Sequence, residues 1–126
     1  MSNCPFCYIN KNQYLIEGSY SYAKWDAYPV TDGHILIISK EHTANYFDLS
    51  EVVQNDMMKL VVKAKKLLDL KYTSCDYNVG INCGYLAGQT IDHVHIHVIP
   101  RRKNDISDPR GGVRWVLPEK ANYWDE

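Results

Sequence analysis

Three histidines stand at every second position of one short apolar run, His93-Val94-His95-Ile96-His97-Val98-Ile99. Successive side chains of a β-strand point to opposite faces, so an extended segment puts His93, His95 and His97 on one face and Val94, Ile96 and Val98 on the other. A rise of about 3.3 Å per residue then spaces neighbouring imidazoles roughly 6 to 7 Å apart, which suits contacts to successive atoms of an extended ligand. Imidazole is the side chain that can attack, donate or accept a proton near neutral pH. The plain alternative is a strand with histidines on its wetted face, and the unbroken alternation of three argues against it. A second group lies at the other end of the chain, where Cys4 and Cys7 form C-x-x-C. In a reducing compartment such a pair reads as a metal site or a redox pair, not a structural disulfide. No strand precedes it as a redox motif would want, so zinc is the better reading, with two further ligands to come from elsewhere; His42 and His93 are the candidates. Two reduced cysteines packed in a turn remain the alternative. Cys75 and Cys83 have no partner motif and are expected as buried small hydrophobes.

The elements that must position these groups follow from pattern and punctuation. Tyr14 to Glu17 and Ser19 to Asp26 are β-prone runs broken by Gly18, which predicts a hairpin. Tyr28-Pro29 and Asp32-Gly33 mark turns, and His34 to Ser39 is an apolar run that reads as a central strand. Asp48 and Glu51 fit a capping box, after which Val53, Met57, Leu60, Ala64 and Leu67 form one face of a helix to about Leu70. Tyr77 to Asn82 is expected as a strand and Cys83 to Thr90 as a Gly-rich loop before the histidine strand. Asp108 to Trp115 reads as a glycine turn entering a strand. Strands in succession around one helix indicate an α+β fold. At 126 residues, 45% hydrophobic and 23% charged, the chain reads as one ordinary globular domain. It lacks the basic start and apolar run of a signal peptide, and no stretch approaches the roughly 18 apolar residues that span a bilayer, so a cytoplasmic protein without membrane contact is expected. A net charge of −1 gives no general attraction to nucleic acid, although all four arginines, Arg101, Arg102, Arg110 and Arg114, follow the histidine strand closely.

The run H-φ-H-φ-H-φ-φ, with φ apolar, resembles the motif of the histidine-triad (HIT) family of nucleotide hydrolases and transferases. Two flanking blocks, Ala87 to Arg101 (A-G-Q-T-I-D-H-V-H-I-H-V-I-P-R) and Asp32 to His42 (D-G-H-I-L-I-I-S-K-E-H), are similar to family segments in the family's order. With the N-terminal segment the resemblance spans residues 4 to 101, leaving 102–126 as an extension. It implies a mainly antiparallel sheet of five strands, one long helix and a short N-terminal helical segment. It also implies that His95 is the nucleophile, forming a covalent nucleotidyl-histidine at the α-phosphate of a dinucleoside polyphosphate or a nucleoside phosphoramidate. His97 and His34 would bind phosphate oxygens or orient the site, Thr90 would face the leaving-group oxygen, and Asn82 and Gln89 would supply donors. Asp26 matches the family's contact to the ribose hydroxyls, and Phe6, Ile9 and Leu36 match positions that clasp the base, with Trp25 a further candidate. In members with the N-terminal cysteine pair, a histidine at the position of His42 and the first triad histidine, His93, complete the zinc site. No organic cofactor is implied.

Other readings stay open at this level. A nucleotidyltransferase shares the mechanism, an adaptor would keep the pocket without turnover, and a metal hydrolase would hold zinc on the three histidines. The last is disfavoured because same-face histidines on one strand more comfortably give two ligands than three. Arg110 or Arg114 could reach distal phosphates. A symmetric homodimer is expected, and the resemblance places its contact at the long helix and a sheet edge; because Val53 to Leu67 already serves the fold, flanking residues such as Val52, Val62 or Leu68 would make it.

Overall fold

The computed structural model describes residues 3–124. Its five strands are β1 (Ile16–Glu17), β2 (Ser21–Trp25), β3 (Ile35–Ser39), β4 (Asp76–Ile81) and β5 (His95–Arg101), hydrogen-bonded in the order β1-β2-β3-β5-β4 with every pairing antiparallel. One long helix, α1 (Glu51–Lys71), crosses one face, and a short helix, α2 (Pro118–Ala121), lies near the C-terminus. The expected α+β architecture is what the chain adopts.

Strand β3 reads as continuous apolar sequence because both of its faces are covered. Ile35 and Ile37 pack with Val94, Ile96 and Val98 against Val53, Met57, Leu60, Ala64 and Leu68 of α1. Leu36 and Ile38 face the other way, packed with Tyr22 of β2 and with Phe6 and Ile9 of the N-terminal segment. In the β3–β5 ladder Leu36 pairs with His97 and Ile38 with His95, so the histidines share the face opposite the helix, as the alternation requires.

Four local expectations are corrected. The helix begins at Glu51 behind Ser50, while Asp48 belongs to a preceding single turn (Tyr46–Asp48); no capping box forms because Asn45 caps that turn instead, accepting from the Phe47 N–H at 2.9 Å. The helix stripe continues through Leu68, which is fully buried, and not through the half-buried Leu67, since four-residue steps from Leu60 and Ala64 lead to Leu68. Leu68 is therefore unavailable to a partner. Among the described residues past β5 there is no strand: Gly112–Val116 forms a 3₁₀ turn, entered through Gly111 and Gly112, both at positive φ. Cys75 and Cys83 are half-buried, not buried.

The β1–β2 hairpin closes with the Gly18 N–H donating to the Ser21 carbonyl at 2.8 Å. Asp56 of α1 ties it to the helix, accepting from the Tyr20 N–H at 2.9 Å and the Ser21 hydroxyl at 2.7 Å.

Candidate active site and metal centre

Backbone groups fix the tautomers of His34, His93 and His95, and His34 in turn fixes that of His97. The Val30 N–H donates to His34 Nδ1 at 3.0 Å, so the proton of neutral His34 sits on Nε2. That Nε2–H faces His97 Nδ1 at 2.9 Å, with Asp26 Oδ2 at 3.3 Å, which leaves the proton of His97 on its own Nε2. His95 Nδ1–H donates to the His93 carbonyl at 2.8 Å, so its Nε2 carries a free lone pair. His93 Nε2–H donates to the Ser39 carbonyl at 2.7 Å, turning its Nδ1 lone pair toward the cysteines. Burial pushes His34 and His93 below the ordinary histidine value; His97, half-buried and flanked by His95 and His34, is pushed down to about 4. The strand therefore presents one lone pair, on His95, beside one N–H donor, on His97.

These groups line a cavity of about 700 Å³ that also takes in Asp26, Phe6, Ile9, Leu36, Thr90 and Ile91. Phe6 packs edge-on to His95 with ring centroids 5.2 Å apart, and its carbonyl accepts from the buried Tyr22 hydroxyl at 2.7 Å. Leu36 is buried, while Thr90 is exposed at the edge. Asn82 lines a neighbouring cavity that meets the first at Val30, His34 and His97. Gln89 is placed differently from the expectation. Its amide hydrogens go to the carbonyls of Ala44 at 2.7 Å and Ile91 at 3.0 Å, and its oxygen accepts from the Gly84 N–H, so what it holds is the loop ahead of His93. Trp25 lies outside the large cavity, with the Lys71 ammonium 6.0 Å from its ring centroid. Sequence reasoning missed Val30 and Ser39, which act through backbone groups, and Tyr22, which pins Phe6; only the turn signal before His34 hinted at the first.

Cys4, Cys7, His42 and His93 converge, with all four ligand atoms within 4.8 Å of one another. Cys4 Sγ lies 3.3 Å and Cys7 Sγ 3.7 Å from His93 Nδ1, and Cys7 Sγ lies 3.1 Å from His42 Nδ1. Tetrahedral zinc with bonds of about 2.3 Å to sulfur and 2.0 Å to nitrogen has S···N edges of roughly 3.5 Å, so the cluster has the size of a zinc site. The Ser39 carbonyl on His93 Nε2 is the outer partner that orients a ligating imidazole. Asp26, His34 and His97 also converge. A metal there would need a lone pair on His34 Nε2, which the Val30 N–H has assigned a proton.

A fold of this topology with this row of imidazoles defines a histidine-triad protein. The HIT domain model matches residues 9–104, and the chain belongs to that family. It is 41% identical to the adenosine 5'-monophosphoramidase of Saccharomyces cerevisiae over 98% of this chain and 75% of that protein. Among solved structures, it is similar to a Zn-bound histidine triad family protein from Mycobacterium smegmatis, with a TM-score of 0.74, 30% identity and coverage of 82% of this chain and 78% of that one. It is likewise similar to the Plasmodium falciparum diadenosine triphosphate hydrolase in complex with Cyclomarin A, with a TM-score of 0.68, 32% identity and coverage of 90% and 74% respectively.

Proposed function

We propose that this chain is a hydrolase that cleaves at the α-phosphate of nucleoside phosphoramidates, and of dinucleoside polyphosphates as a wider class, through a covalent nucleotidyl-histidine. One observation carries the reading: His95 spends Nδ1–H on the His93 carbonyl and keeps its Nε2 lone pair for the cavity. The yeast phosphoramidase and the Plasmodium diadenosine triphosphate hydrolase support the two substrate classes.

The nucleoside enters the large cavity, its ribose hydroxyls on Asp26 and its base among Phe6, Ile9 and Leu36. His95 Nε2 bonds to the α-phosphorus as the bond to the leaving nitrogen breaks, and the nitrogen takes a proton from water. The charge that reaches the imidazole is stabilised by the His93 carbonyl, while the His97 N–H, with Thr90 and Asn82 at the edges, answers the charge on the phosphate oxygens. Water then adds oxygen to phosphorus, the P–N bond to His95 breaks with its electron pair returning to the ring, and one proton goes back to solvent. One water is consumed, and a nucleoside monophosphate and an amine are released. A transferase would differ only in the acceptor of the second step. Zinc on Cys4, Cys7, His42 and His93 would fix the N-terminal segment that carries Phe6, and four unpaired thiols suit the reducing cytosol.

Incubation with an adenosine 5'-phosphoramidate and a rapid acid-free quench should give a species heavier by one nucleotidyl group, base-stable and acid-labile. His95→Ala should lose both adduct and turnover while nucleoside monophosphate binding persists. A His95→Ala protein with full turnover overturns the proposal.

A further inference from the structure

Among the described residues that line the large cavity, Lys24 is the one Lys or Arg, and the chemistry proposed above makes no use of it. The register of the sheet runs from Lys24 to Leu36 to His97 across β2, β3 and β5, and residues directly opposite share a face, so Lys24 lies on the histidine side. With strands about 4.8 Å apart, its Cα stands roughly 10 Å from that of His97, and Leu36 lies between them. Lys24 therefore belongs to the end of the cavity remote from the triad. Gln13, at the end of the single turn Lys11–Gln13, lines the cavity too, and the two residues share a smaller cavity beside it.

The cations that follow β5 are committed elsewhere. Arg101 is held by Asp105 and Asn78, Arg110 by Asp108 with its guanidinium 4.4 Å from the Trp124 ring centroid, and Arg114 by the carbonyls of Lys120 and Ala121. This corrects the expectation that Arg110 or Arg114 reaches distal phosphates. Lys24 is placed differently. Among the described residues it forms no ion pair, because Asp26, two positions on, turns its carboxylate to the Tyr28 N–H at 2.8 Å and to His34 Nε2 at 3.3 Å. The Lys24 ammonium donates one hydrogen to the Trp25 carbonyl at 2.7 Å and has two more to give. Its aliphatic stem, half-buried beside Leu36, adds to the apolar wall while the charged end stays at the rim.

We propose that Lys24 is a specificity-determining residue, and that through it this chain prefers nucleotides of the 6-oxopurines, guanine and hypoxanthine, to those of adenine. The assignment rests on the reading above that puts the base among Phe6, Ile9 and Leu36. Along one edge guanine offers two acceptors, O6 and N7, whereas adenine offers N7 beside the N6 amino donor. An ammonium can only donate. On a 6-oxopurine the free hydrogens of Lys24 reach both acceptors; on adenine one of them faces another donor. The Gln13 amide can present either its oxygen or its NH₂ group, so it fits both bases and makes no choice between them.

The test titrates the intact protein with guanosine, inosine and adenosine 5'-monophosphate at one ionic strength, so that ribose and phosphate contribute equally to all three. The guanosine and inosine nucleotides are expected to bind about tenfold more tightly than the adenosine nucleotide. Lys24→Met, of similar length without the charge, should bring the three affinities together, and Lys24→Arg, whose guanidinium also donates to O6 and N7, should keep them apart. Equal affinities in the parent protein, or a preference that survives Lys24→Met, overturn the assignment. So does inosine binding that matches adenosine, which would place the discrimination at the 2-amino group of guanine. Initial rates with guanosine and adenosine 5'-phosphoramidates separate this proposal from the one beneath it: a binding preference without turnover of either compound upholds Lys24 and overturns the hydrolase reading, whereas turnover of both with equal affinities overturns Lys24 alone.

Discussion

The fold favours the neutral form of His97. Burial first, then His95 and His34 beside it, push its pKa down to about 4 from an ordinary 6.5. Between those values the unfolded chain binds a proton that the folded chain refuses, so stability rises with pH across that window. The contribution is complete above about 6.5 and is lost as pH falls toward 4, a difference of between about 1 and 3 kcal/mol once solvent screening is allowed for. Urea unfolding at closely spaced pH values should show this slope, and His97→Asn should flatten it. A variant with the same slope as the parent would show that His97 is not the group responsible. Activity should follow the same logic, because a protonated His97 loses the acceptor that takes the His34 N–H.

At the scale of elements, the turn ahead of β3 decides where His34 sits. Gly33 has φ +93°, and a Cβ there would lie 2.7 Å from the Tyr72 ring and 3.1 Å from Leu68, both on the rigid helix side. Gly33→Ala is expected to cost about 1 to 3 kcal/mol in backbone strain alone, more once the contact is counted, and to reduce turnover by displacing His34. Thermal unfolding and initial rates together check it. Leu68→Ala should cost about 2 to 5 kcal/mol, whereas the exposed Leu70→Ala should change little. Both sites belong to elements legible in the sequence: the Asp-Gly turn, the apolar run of β3 and the helical spacing are local signals that tertiary packing reinforces. The histidine row was legible for the same reason, since period-two alternation survives any packing that covers one face. Illegible were features that depend on what a segment meets. Ser50 displaced Asp48 at the helix start because Asn45 had already organised the preceding turn. The segment after Asp108 folded as a 3₁₀ turn because its two glycines take positive φ and its arginines bind local carbonyls and carboxylates. Gln89 reads as a phosphate donor until the carbonyls of Ala44 and Ile91 are seen to claim both its hydrogens.

At the scale of the whole molecule, the cluster of Cys4, Cys7, His42 and His93 and the large cavity share the N-terminal segment. Phe6 stands between Cys4 and Cys7 and packs on His93 and His95, with ring centroids 5.8 and 5.2 Å away. Protein purified without added metal should carry close to one zinc per chain, and a strong chelator should lower its melting temperature. The same treatment should weaken nucleoside monophosphate binding, because a released segment no longer holds Phe6. Elemental analysis that finds no zinc, with both thiols freely titratable, would remove the metal from this picture. The sheet then raises a last question, because β4 ends it with an unpaired edge of six residues, Asp76–Ile81, and Val79 is 41% exposed there. The neighbouring helix adds Val52, Met58 and Val62 to its outer surface, all substantially exposed. A bare edge beside exposed aliphatic side chains is a liability unless another chain covers it, and a two-fold axis lets one such surface cover another. The expected state is a homodimer, with about twice the 14.6 kDa chain mass by light scattering at micromolar concentration. Val79→Lys together with Val62→Lys should shift that mass toward the monomer, since both charges would meet their own copies across the axis. A parent protein that scatters as a monomer would mean that the β4 edge is left to solvent.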